Sequence, residues 1–547
     1  MIDVFSNEAF QAFLGVNVIL ALGLYVMVVT GQLSLGQAGF MGVGAYAASW
    51  LNVDQHWPVE ATLAAGALAG AAVAVPVAVG ANRVRGIYLI VGTLAVGEII
   101  QTGLRNFDAV GGVQGYFGMA PIGPHTIFLS CLGVLAVLAV LIATPVGLAM
   151  RSVRDDEDAA AALGVPVRMV KIGAVVFGAA VTGLAGALYA HYLTFINPEN
   201  FGVESSFSIA LYVLIGGTDT LIGPIVGAFL LTYLPQAFKV FSEYEGVVFG
   251  GFLVAVMIVT HRGLISRGLV LFVRRQFEGL AARRRSAAAR ASPPTSRPPA
   301  ARVRTAGDEG RSSQQPVLAL SQIEKQFAGV TALRSVDLEI FPSEVLGVIG
   351  PNGAGKSTLI NVATGHYRPT AGSIVLRGRD ITRLRADRRA RLGIGRTFQA
   401  VRLFDHLTVA ENVRLASRHG RETAEWLELD RLERLLPREL SYADQRKLQI
   451  AQALALGSRV LFLDEPSIGM SAPDLAELGR IIGAAGDAGT AVVLVDHNLD
   501  LVMELADRIA VLDFGLKIAD DQPAAIVADA GVQAAYLGDA ALTATAT

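Results

Sequence analysis

A glycine-rich loop is the first place where residue types and spacing predict chemistry. It follows the apolar stretch Val345–Ile349 and precedes an apolar helical pattern that begins at Leu359. Its residues are Gly350, Pro351, Asn352, Gly353, Ala354, Gly355, Lys356, Ser357 and Thr358. Glycines let backbone N–H groups wrap phosphate oxygens, and the helix N-terminus adds positive potential. Lys356 is spaced to reach the β- and γ-phosphates of a nucleotide, and Ser357 to offer its hydroxyl to Mg²⁺. The strand–loop–helix context therefore predicts a nucleotide-binding loop.

Two further apolar stretches end in residues suited to hydrolysis. Val460–Leu463 runs into Asp464 and Glu465, and Ala491–Val495 is followed by an aspartate and then His497. We expect Asp464 to hold Mg²⁺ through water and Glu465 to polarise the attacking water. We expect His497 to reach the γ-phosphate. A lone histidine at a strand end is usually structural, but the neighbouring motifs favour the catalytic interpretation.

Four more residues complete the candidate site. Gln399 follows the stretch Gly395–Phe398, and Ser441 opens a helical pattern that includes Ala443. The N-terminus of that helix is suited to meet a phosphate presented by a second domain of the same kind. Phe327 precedes the first predicted strand pair and is placed to stack on adenine.

The first half of the chain has the composition of a lipid-embedded domain. The 547-residue chain is 52% hydrophobic with a net charge of -2, yet residues 11–53, 61–82 and 109–150 contain no Asp, Glu, Lys or Arg. A span needs about 20 apolar residues. Candidate spans begin near Phe13, Leu35, Ala61, Val84, Ile127, Lys171, Phe207, Leu221 and Val247. Since the spans near Phe207 and Leu221 are separated only by Gly216–Asp219, they are two short spans or one broken helix, and we expect roughly eight or nine crossings.

Basic residues set the expected orientation, because cytoplasmic loops carry the excess of Lys and Arg. The clusters that we place in the cytoplasm contain Arg83, Arg85, Arg151, Arg154, Arg168, Lys171, Arg262, Arg267, Arg274 and Arg275. This pattern places the N-terminus outside when there are nine crossings, and the second half of the chain in the cytoplasm. Glu98 lies within an apolar span, where a structural hydrogen bond is the favoured role and a place in the translocation path the alternative.

Small residues and one charged stretch stand out in this half. Glycines recur between Gly31 and Gly44 and at Gly216–Gly217. Helix packing is the favoured interpretation of these glycines. The alternative is a broken helix that exposes backbone to a solute. Residues 151–165 carry charges that lead into an Ala-rich stretch ending at Gly164. They predict a short amphipathic helix on the cytoplasmic face. Because an ATPase domain follows, a coupling helix is the favoured interpretation, and a solvated loop is the alternative.

Composition and motifs thus divide the chain into a membrane domain at 1–273, a linker at 274–315 and an ATPase domain at 316–547. The linker is basic and Pro-rich and has almost no large apolar residue, which predicts a disordered tether. A plain tether is the favoured role, contact of its basic residues with membrane lipid is the alternative, and we expect no binding of nucleic acid. The fold class is multi-domain, with an all-α polytopic membrane domain and an α/β P-loop ATPase domain.

The order of the motifs resembles the ABC ATPase family over Val317–Gly538. The stretches Arg396–Gln399 and Ala535–Gly538 are similar to the ATP-binding subunits of branched-chain amino acid importers. The membrane half resembles the permease subunits of the same systems. Its matching stretches are Gly31–Ala38, Arg85–Tyr88, Thr93–Glu98, Gly111–Gly112, Arg151–Gly164, Gly216–Gly217 and Gly223–Pro224.

This resemblance implies an importer in the cytoplasmic (inner) membrane that uses ATP and Mg²⁺. It implies two permeases, two ATPases and an external solute-binding protein. The second permease and ATPase are separate subunits or a second copy of this chain. Each ATP would lie between the phosphate loop of one ATPase and the Ser441-type helix of the other. The resemblance also implies that Gln399 takes part in catalysis and, with Ser357 and Asp464, binds the metal.

Branched-chain amino acids are the favoured solutes, and the closest rival is the same machine carrying urea, short amides or another small polar solute. An exporter or lipid flippase is the rival of another class, and the 151–165 segment argues against it. A soluble ATPase with a mere anchor is improbable with so many spans.

The chain departs from the family pattern at Ala443, where the signature has Gly, and at Asp444, where Gln is usual. We hypothesise that the ATP site completed by this helix is weaker than its twin.

Overall fold

The computed structural model describes residues 7–84, 86–238, 250–251, 254, 258, 263–265, 315–416 and 420–537. These residues divide into two compact units. One comprises Met1–Arg154 and Arg168–Ser292, and the other comprises Asp155–Val167 and Pro293–Thr547. Several predictions lie outside the described residues: most of the last span from Val247, linker residues 274–314, Arg85, Arg262, Arg267 and Gly538.

The first unit is helical. Its helices are α1 (Glu8–Val28), α2 (Gln37–Val53), α3 (Val59–Ala81), α4 (Ile87–Arg105), α5 (Pro124–Ala143), α6 (Pro145–Asp155), α8 (Val167–Leu193), α9 (Val203–Gly216) and α10 (Ile222–Phe238). Two short strands, β1 (Tyr116–Phe117) and β2 (Phe195–Ile196), pair antiparallel. Within the described residues, five helices are long and apolar enough to cross a membrane: α1, α3, α4, α5 and α8. The predicted polytopic helical domain is confirmed.

Glycines allow close helix packing in this unit, as the favoured interpretation expected. A Cβ added to Gly44 on α2 would lie 2.4 Å from the Cα of Gly183 on α8, so the two backbones touch there. Likewise a Cβ on Gly227 would collide with the carbonyl oxygen of Tyr212, which brings α10 against α9. The stretch around Gly216–Gly217 therefore joins two short, closely packed helices.

Around the connection between α1 and α2, two backbone N–H groups donate hydrogen bonds to side chains of the same unit. The Leu35 N–H donates to Thr93 Oγ1 at 3.0 Å, and the Ala38 N–H donates to Ser206 Oγ at 3.2 Å. Both hydroxyls come from other helices, α4 and α9. In the Gly31–Gly44 stretch, these two N–H groups are thus bound by side chains of the same unit.

The segment at 151–165 differs from the single helix that the sequence predicts. Helix α6 ends at Asp155, and a separate helix, α7 (Glu157–Ala162), begins after Asp156. The Asp156 carboxylate caps α7 by accepting from the Asp158 and Ala159 N–H groups at 2.9 Å. This cap interrupts the helix because the aspartate takes an extended backbone conformation. Gly164, with φ of +79°, ends the segment as expected.

The second unit is an α/β domain with two sheets. Its strands are β3 (Leu318–Phe327), β4 (Val330–Ile340), β5 (Val345–Ile349), β6 (Ala371–Leu376), β7 (Arg379–Asp380), β8 (Ile394–Arg396), β9 (Val460–Asp464), β10 (Ala491–Val495), β11 (Arg508–Asp513) and β12 (Leu516–Asp521). One sheet has the order β12-β11-β5-β10-β9-β8, and the other β4-β3-β6-β7. The second sheet is antiparallel, and β12 is the antiparallel edge of the first.

Helices surround these sheets and complete the predicted α/β ATPase fold. Besides α7, they are α11 (Lys356–Ala363), α12 (Ala386–Arg391), α13 (Val409–Ala416), α14 (Gly420–Trp426), α15 (Tyr442–Ala455), α16 (Ala472–Asp487), α17 (Leu499–Leu505), α18 (Pro523–Ala528) and α19 (Ala530–Leu537). The strands β5, β9 and β10 are buried at every residue, as their continuous apolar runs predict for central parallel strands.

Candidate functional site

Three neighbouring parallel strands bring the predicted chemical residues to one edge. Strand β10 pairs in parallel with β5 on one side and with β9 on the other. The register sets Val495 opposite Val348 and opposite Asp464. The glycine loop, Asp464–Glu465 and His497 follow the carboxyl ends of these strands, so they meet at the edge where α/β proteins bind ligands.

The phosphate loop has the conformation that its glycines predict. Gly350, Gly353 and Gly355 take φ values of +149°, +84° and +103°, and the loop leads directly into α11. The Lys356 ammonium is buried and donates to the carbonyl oxygens of Gly350 at 2.6 Å and Pro351 at 3.0 Å. Burial lowers the pKa of Lys356, while Glu465 and Asp464 oppose that shift. The loop therefore concentrates a cation beside the first N–H groups of a helix, which have no acceptor within that helix.

Glu465 lies between the two other predicted catalytic side chains. Its Oε2 accepts from Gln399 Nε2 at 2.7 Å, and its Oε1 lies 2.9 Å from His497 Nε2. An ionised carboxylate only accepts hydrogen bonds, so the imidazole carries its proton on Nε2. The structure brings these three residues together, although they are far apart in sequence. A carboxylate oriented from both sides is suited to act as a general base.

Asp464 has the properties of a magnesium ligand. Its side chain is buried, and its Oδ2 lies 3.7 Å from Arg396 Nη2. Its Oδ1 is buried and accepts no hydrogen bond from the residues that the structure describes. Burial raises the pKa of Asp464, and the Arg396 charge opposes the shift. An unsatisfied carboxylate oxygen fits Mg²⁺, which prefers oxygen ligands and bound water, and the exposed Ser357 offers a second oxygen.

Arg446 is a residue of this site that the sequence did not indicate. It is fully buried on α15. Its guanidinium donates to the carbonyl oxygens of Phe398 at 2.9 Å, Gln399 at 2.9 Å and Glu465 at 3.4 Å. It also donates to Tyr442 Oη at 3.2 Å. One side chain thus holds the backbone of two predicted catalytic residues. The carbonyl oxygens that it binds lie far away in sequence, so no local pattern could have found it.

Asp496 is a second residue that the prediction passed over, although it directly precedes His497. Its buried carboxylate accepts from the Ser467 N–H at 3.0 Å, the Ser467 hydroxyl at 2.6 Å and the Asn498 N–H at 2.9 Å. These bonds tie the segment after Glu465 to the end of β10. Asp496 therefore holds the backbone that follows the predicted catalytic residues Glu465 and His497.

The Ser441 helix start is confirmed, and its chemistry is unusual. Ser441 caps α15 by accepting from the Asp444 N–H at 3.1 Å. The Ser441 hydroxyl in turn donates to Asp444 Oδ2 at 2.7 Å. The proton that would serve a phosphate is therefore given to a carboxylate, and Ala443 adds a methyl group on the same turn.

Phe327 occupies a different place from the one predicted. It is the last residue of β3 and pairs with Val330 of β4, so it lies within the first strand pair instead of before it. The difference arises because β3 continues through a largely polar stretch as far as Phe327. The ring is 38% exposed, packs edge-on against Tyr367 and carries the Lys325 ammonium at 4.8 Å. A partly exposed aromatic ring of this kind remains suited to stack on a base.

The segment Asp155–Val167, here called the coupling segment, makes polar contacts with the ATPase residues of its own unit. His406 Nδ1 lies 2.6 Å from Asp155 Oδ1, and the His406 N–H donates to Asp155 Oδ2 at 3.0 Å. Arg402 Nη1 lies 3.3 Å from Asp156 Oδ2. Arg391 Nε donates to the Gly164 carbonyl at 2.8 Å. Both ends of the short segment are thus held.

Two family models match the chain. The model described as the permease component of a branched-chain amino acid transport system matches residues 9–259. The model described as ABC transporter matches residues 333–468. The first covers the helical unit and the coupling segment, and the second covers most of the residues assembled above.

Curated relatives match the ATPase half. The high-affinity branched-chain amino acid transport ATP-binding protein LivG of Escherichia coli (strain K12) is 36% identical over 253 residues, which is 41% of this chain and 99% of the relative. The protein BraF of Pseudomonas aeruginosa, described in the same words, gives the same values. The ribose import ATP-binding protein RbsA 1 of Rubrobacter xylanophilus is 38% identical over 37% of this chain and 43% of the relative. A crystal structure of a nucleotide-free ATP-binding cassette from an ABC transporter aligns at 26% identity with a TM-score of 0.39, over 41% of this chain and all of that one.

Proposed function

This chain belongs to the ABC transporter family, with a branched-chain amino acid-type permease fused to an ABC ATPase, and we propose that it drives ATP-dependent import of branched-chain amino acids. The family establishes a multi-pass membrane protein that binds nucleotide and couples ATP hydrolysis to transport. The direction, the solute and the partners are our proposal, as is a location in the cytoplasmic membrane with the ATPase in the cytoplasm.

One observation supports the coupling most directly. The coupling segment lies between α6 and α8 in sequence, yet it clusters with the ATPase unit and is held there by Arg391, Arg402 and His406. Because the segment is covalently continuous with helices on both sides, displacement of the ATPase residues pulls on those helices.

At the nucleotide, the residues of this chain divide the work. Lys356 and the loop amides bind the phosphates, and Glu465 accepts a proton from the attacking water while Gln399 and His497 orient it. Ser357, Gln399 and Asp464 would hold Mg²⁺, which would supply positive charge to neutralise the phosphates. Phe327 contacts the adenine ring. Arg446 and Asp496 act as positioning residues. Arg446 holds the backbone of Gln399 and Glu465, and Asp496 holds the backbone that follows Glu465 and His497.

The helix that begins at Ser441 and carries Ala443 serves a nucleotide on a second ATPase. We propose an assembly of two permeases and two ATPases, in which the second of each is a separate subunit or a further copy of this chain. An external solute-binding protein delivers the solute.

The permease half supports the choice of solute, because the ATPase half does not distinguish between solutes. The relatives of the ATPase half include ATP-binding proteins described for branched-chain amino acids and one described for ribose, at similar identity. The permease model is described for branched-chain amino acids and covers residues 9–259. Urea and short amides are alternative outcomes of the test below.

The test is uptake by right-side-out membrane vesicles that contain the assembled transporter and are loaded with ATP. Radiolabelled leucine, isoleucine and valine are compared with urea and acetamide, with the cognate binding protein outside. We expect ATP-dependent accumulation of the amino acids. Glu465→Gln should reduce it by about 10²–10⁴-fold, the usual contribution of a general base. Glu433→Gln, whose side chain is 57% exposed, is the matched control and should leave uptake unchanged.

The opposite outcomes are equally clear. Accumulation of urea or acetamide alone would show that the solute class is wrong while the machine is right. ATP-dependent movement of solute from the vesicle interior to the side of the binding protein would identify an exporter and overturn the import proposal.

A further inference from the structure

We propose that Arg154 is a positioning residue that carries movement of the coupling segment to the turn between α9 and α10, residues 217–221. Arg154 is the last residue before the coupling segment and belongs to the helical unit. Its backbone therefore follows any displacement of Asp155 through a single peptide bond, which is rigid. The proposal rests on the proposed coupling of ATP hydrolysis to helix movement and is independent of which solute is carried.

The Arg154 guanidinium grips the turn at three points. Nη2 lies 3.0 Å from Asp219 Oδ1 and donates to Thr218 Oγ1 at 3.1 Å, and Nη1 donates to the Thr218 carbonyl at 3.1 Å. The Arg154 side chain is 23% exposed and that of Asp219 is 8% exposed. A planar guanidinium with several partners fixes both the distance and the orientation of what it holds. Water screens this pair less than a surface pair.

The turn itself is built to pass movement to both of its helices. Gly217 takes φ of +114°, a conformation open to glycine, and a Cβ on Gly216 would collide with the Gly223 carbonyl oxygen. The ends of α9 and α10 are thus in direct backbone contact. The Leu264 and Ile265 N–H groups donate to the last carbonyls of α9 at 2.9 and 3.0 Å. Because the turn is packed on these sides, a pull on Thr218 and Asp219 tilts the helices instead of bending a loose loop.

A second contact makes Arg154 a junction. A Cβ on Gly31 would lie 3.5 Å from the Arg154 Cα, so the turn between α1 and α2 packs against the same backbone. The neighbouring Gln32 donates from Nε2 to the Lys171 carbonyl at 3.1 Å, beyond the other end of the coupling segment. The chain is thus held just before and just after the coupling segment by one turn, and on the Arg154 side the guanidinium also holds Thr218 and Asp219.

A cysteine reporter tests whether this link transmits movement. Cys131 is the single cysteine of the chain. The full chain carrying Cys131→Ser and Thr220→Cys is prepared with its native assembly in membranes that have been made permeable to nucleotide. Maleimide labelling of the half-buried position 220 is timed with and without the non-hydrolysable analogue AMP-PNP and Mg²⁺. We expect the nucleotide to change the labelling rate by about fivefold or more, the lower end of ordinary allosteric coupling.

The variants then separate transmission from mere structure. Arg154→Gln should reduce that nucleotide response to within about twofold. The isosteric Asp219→Asn should do the same, and Arg154→Lys, which keeps the charge, should retain part of it. The matched control is Arg168→Gln, an exposed arginine that follows the coupling segment at its other end and should keep the full response. AMP-PNP binding should be equal in all of them.

Two results would overturn the proposal. The first is a nucleotide response that survives in both Arg154→Gln and Asp219→Asn. The second is a parent chain in which AMP-PNP binds but leaves labelling at position 220 unchanged. Neither depends on solute uptake, so failure of the proposed import would be seen separately.

Discussion

Replacing Arg446 by methionine tests how the ATPase site is held together. Methionine has a similar length and good helix propensity, so α15 should persist. It offers no donor to the carbonyl oxygens of Phe398, Gln399 and Glu465, which the guanidinium now serves. Each acceptor left unsatisfied costs about 1 kcal/mol at the lower end, so we expect a loss of about 3 kcal/mol. For a domain of this size that lowers Tm by about 6–12 °C.

Activity should fall as well, because the same side chain holds the backbone of Gln399 and Glu465. A misplacement of about 1 Å can cost on the order of 100-fold in rate, so kcat should drop at least about tenfold, measured well below the lowered Tm. Arg446→Lys keeps the charge with fewer donors and should fall between the two. Arg480→Met removes an arginine that is 54% exposed and pairs only loosely with Glu477 at 3.5 Å. That control should change the stability by less than about 1 kcal/mol.

A tryptophan reporter makes the stability measurement specific to the ATPase unit. The chain has three tryptophans, of which Trp50 and Trp57 lie in the helical unit. With both changed to phenylalanine, Trp426, which packs on the ATPase core, reports thermal unfolding of that unit in the detergent-solubilised chain. A Tm for Arg446→Met within about 2 °C of the parent, together with an unchanged kcat, would refute the reasoning. A lowered Tm with an unchanged kcat would leave Arg446 a purely structural residue.

Three further predictions follow from the same unit. Asp444→Asn keeps an acceptor for the Ser441 hydroxyl but removes a negative charge, so ATPase activity of the assembled complex should rise. Ala443→Gly should raise this activity further. Unchanged activity in both variants would refute the hypothesis of a weakened site. Burial lowers the pKa of His366 to about 4, so its neutral form stabilises the fold above about pH 6.5 and this contribution is lost as the pH falls through about 4. The stability difference between the parent and His366→Gln should therefore shrink over that range in urea titrations, and a constant difference would contradict it. Asp155→Asn weakens the contact with His406 and should lower uptake per ATP hydrolysed, whereas a fall in both rates by the same factor would exclude a coupling role.

Sequence reasoning succeeded where a motif and its element coincide. The phosphate loop, Asp464–Glu465 and His497 each follow an apolar run that is a central strand, so parallel pairing alone brings them to one edge. Buried strands and helix caps are local signals. The start of α15 at Ser441 was therefore found, as were the close glycine contacts between helices.

Two of the missed features are polar contacts between residues far apart in sequence. Arg446 serves carbonyl oxygens 19 to 48 positions away, and Asp219 pairs with Arg154 across 65 positions. The excess of basic residues places Arg154 near the cytoplasmic face but does not name its partner. The division of 151–165 into two helices depends on a single aspartate, Asp156, whose cap outweighs the helical pattern around it.

One stretch of backbone links the hydrolytic group to the coupling segment. Gln399 touches Glu465, and His406, only seven residues later, touches Asp155. Residues 397–408 lie outside regular secondary structure, so the stretch can shift without breaking a strand or helix. Its two ends are nevertheless fixed, by Arg446 at Gln399 and by Asp155 at His406. We therefore expect a change in what Glu465 binds to reach Asp155 through this short stretch, and Arg154 is the next residue along.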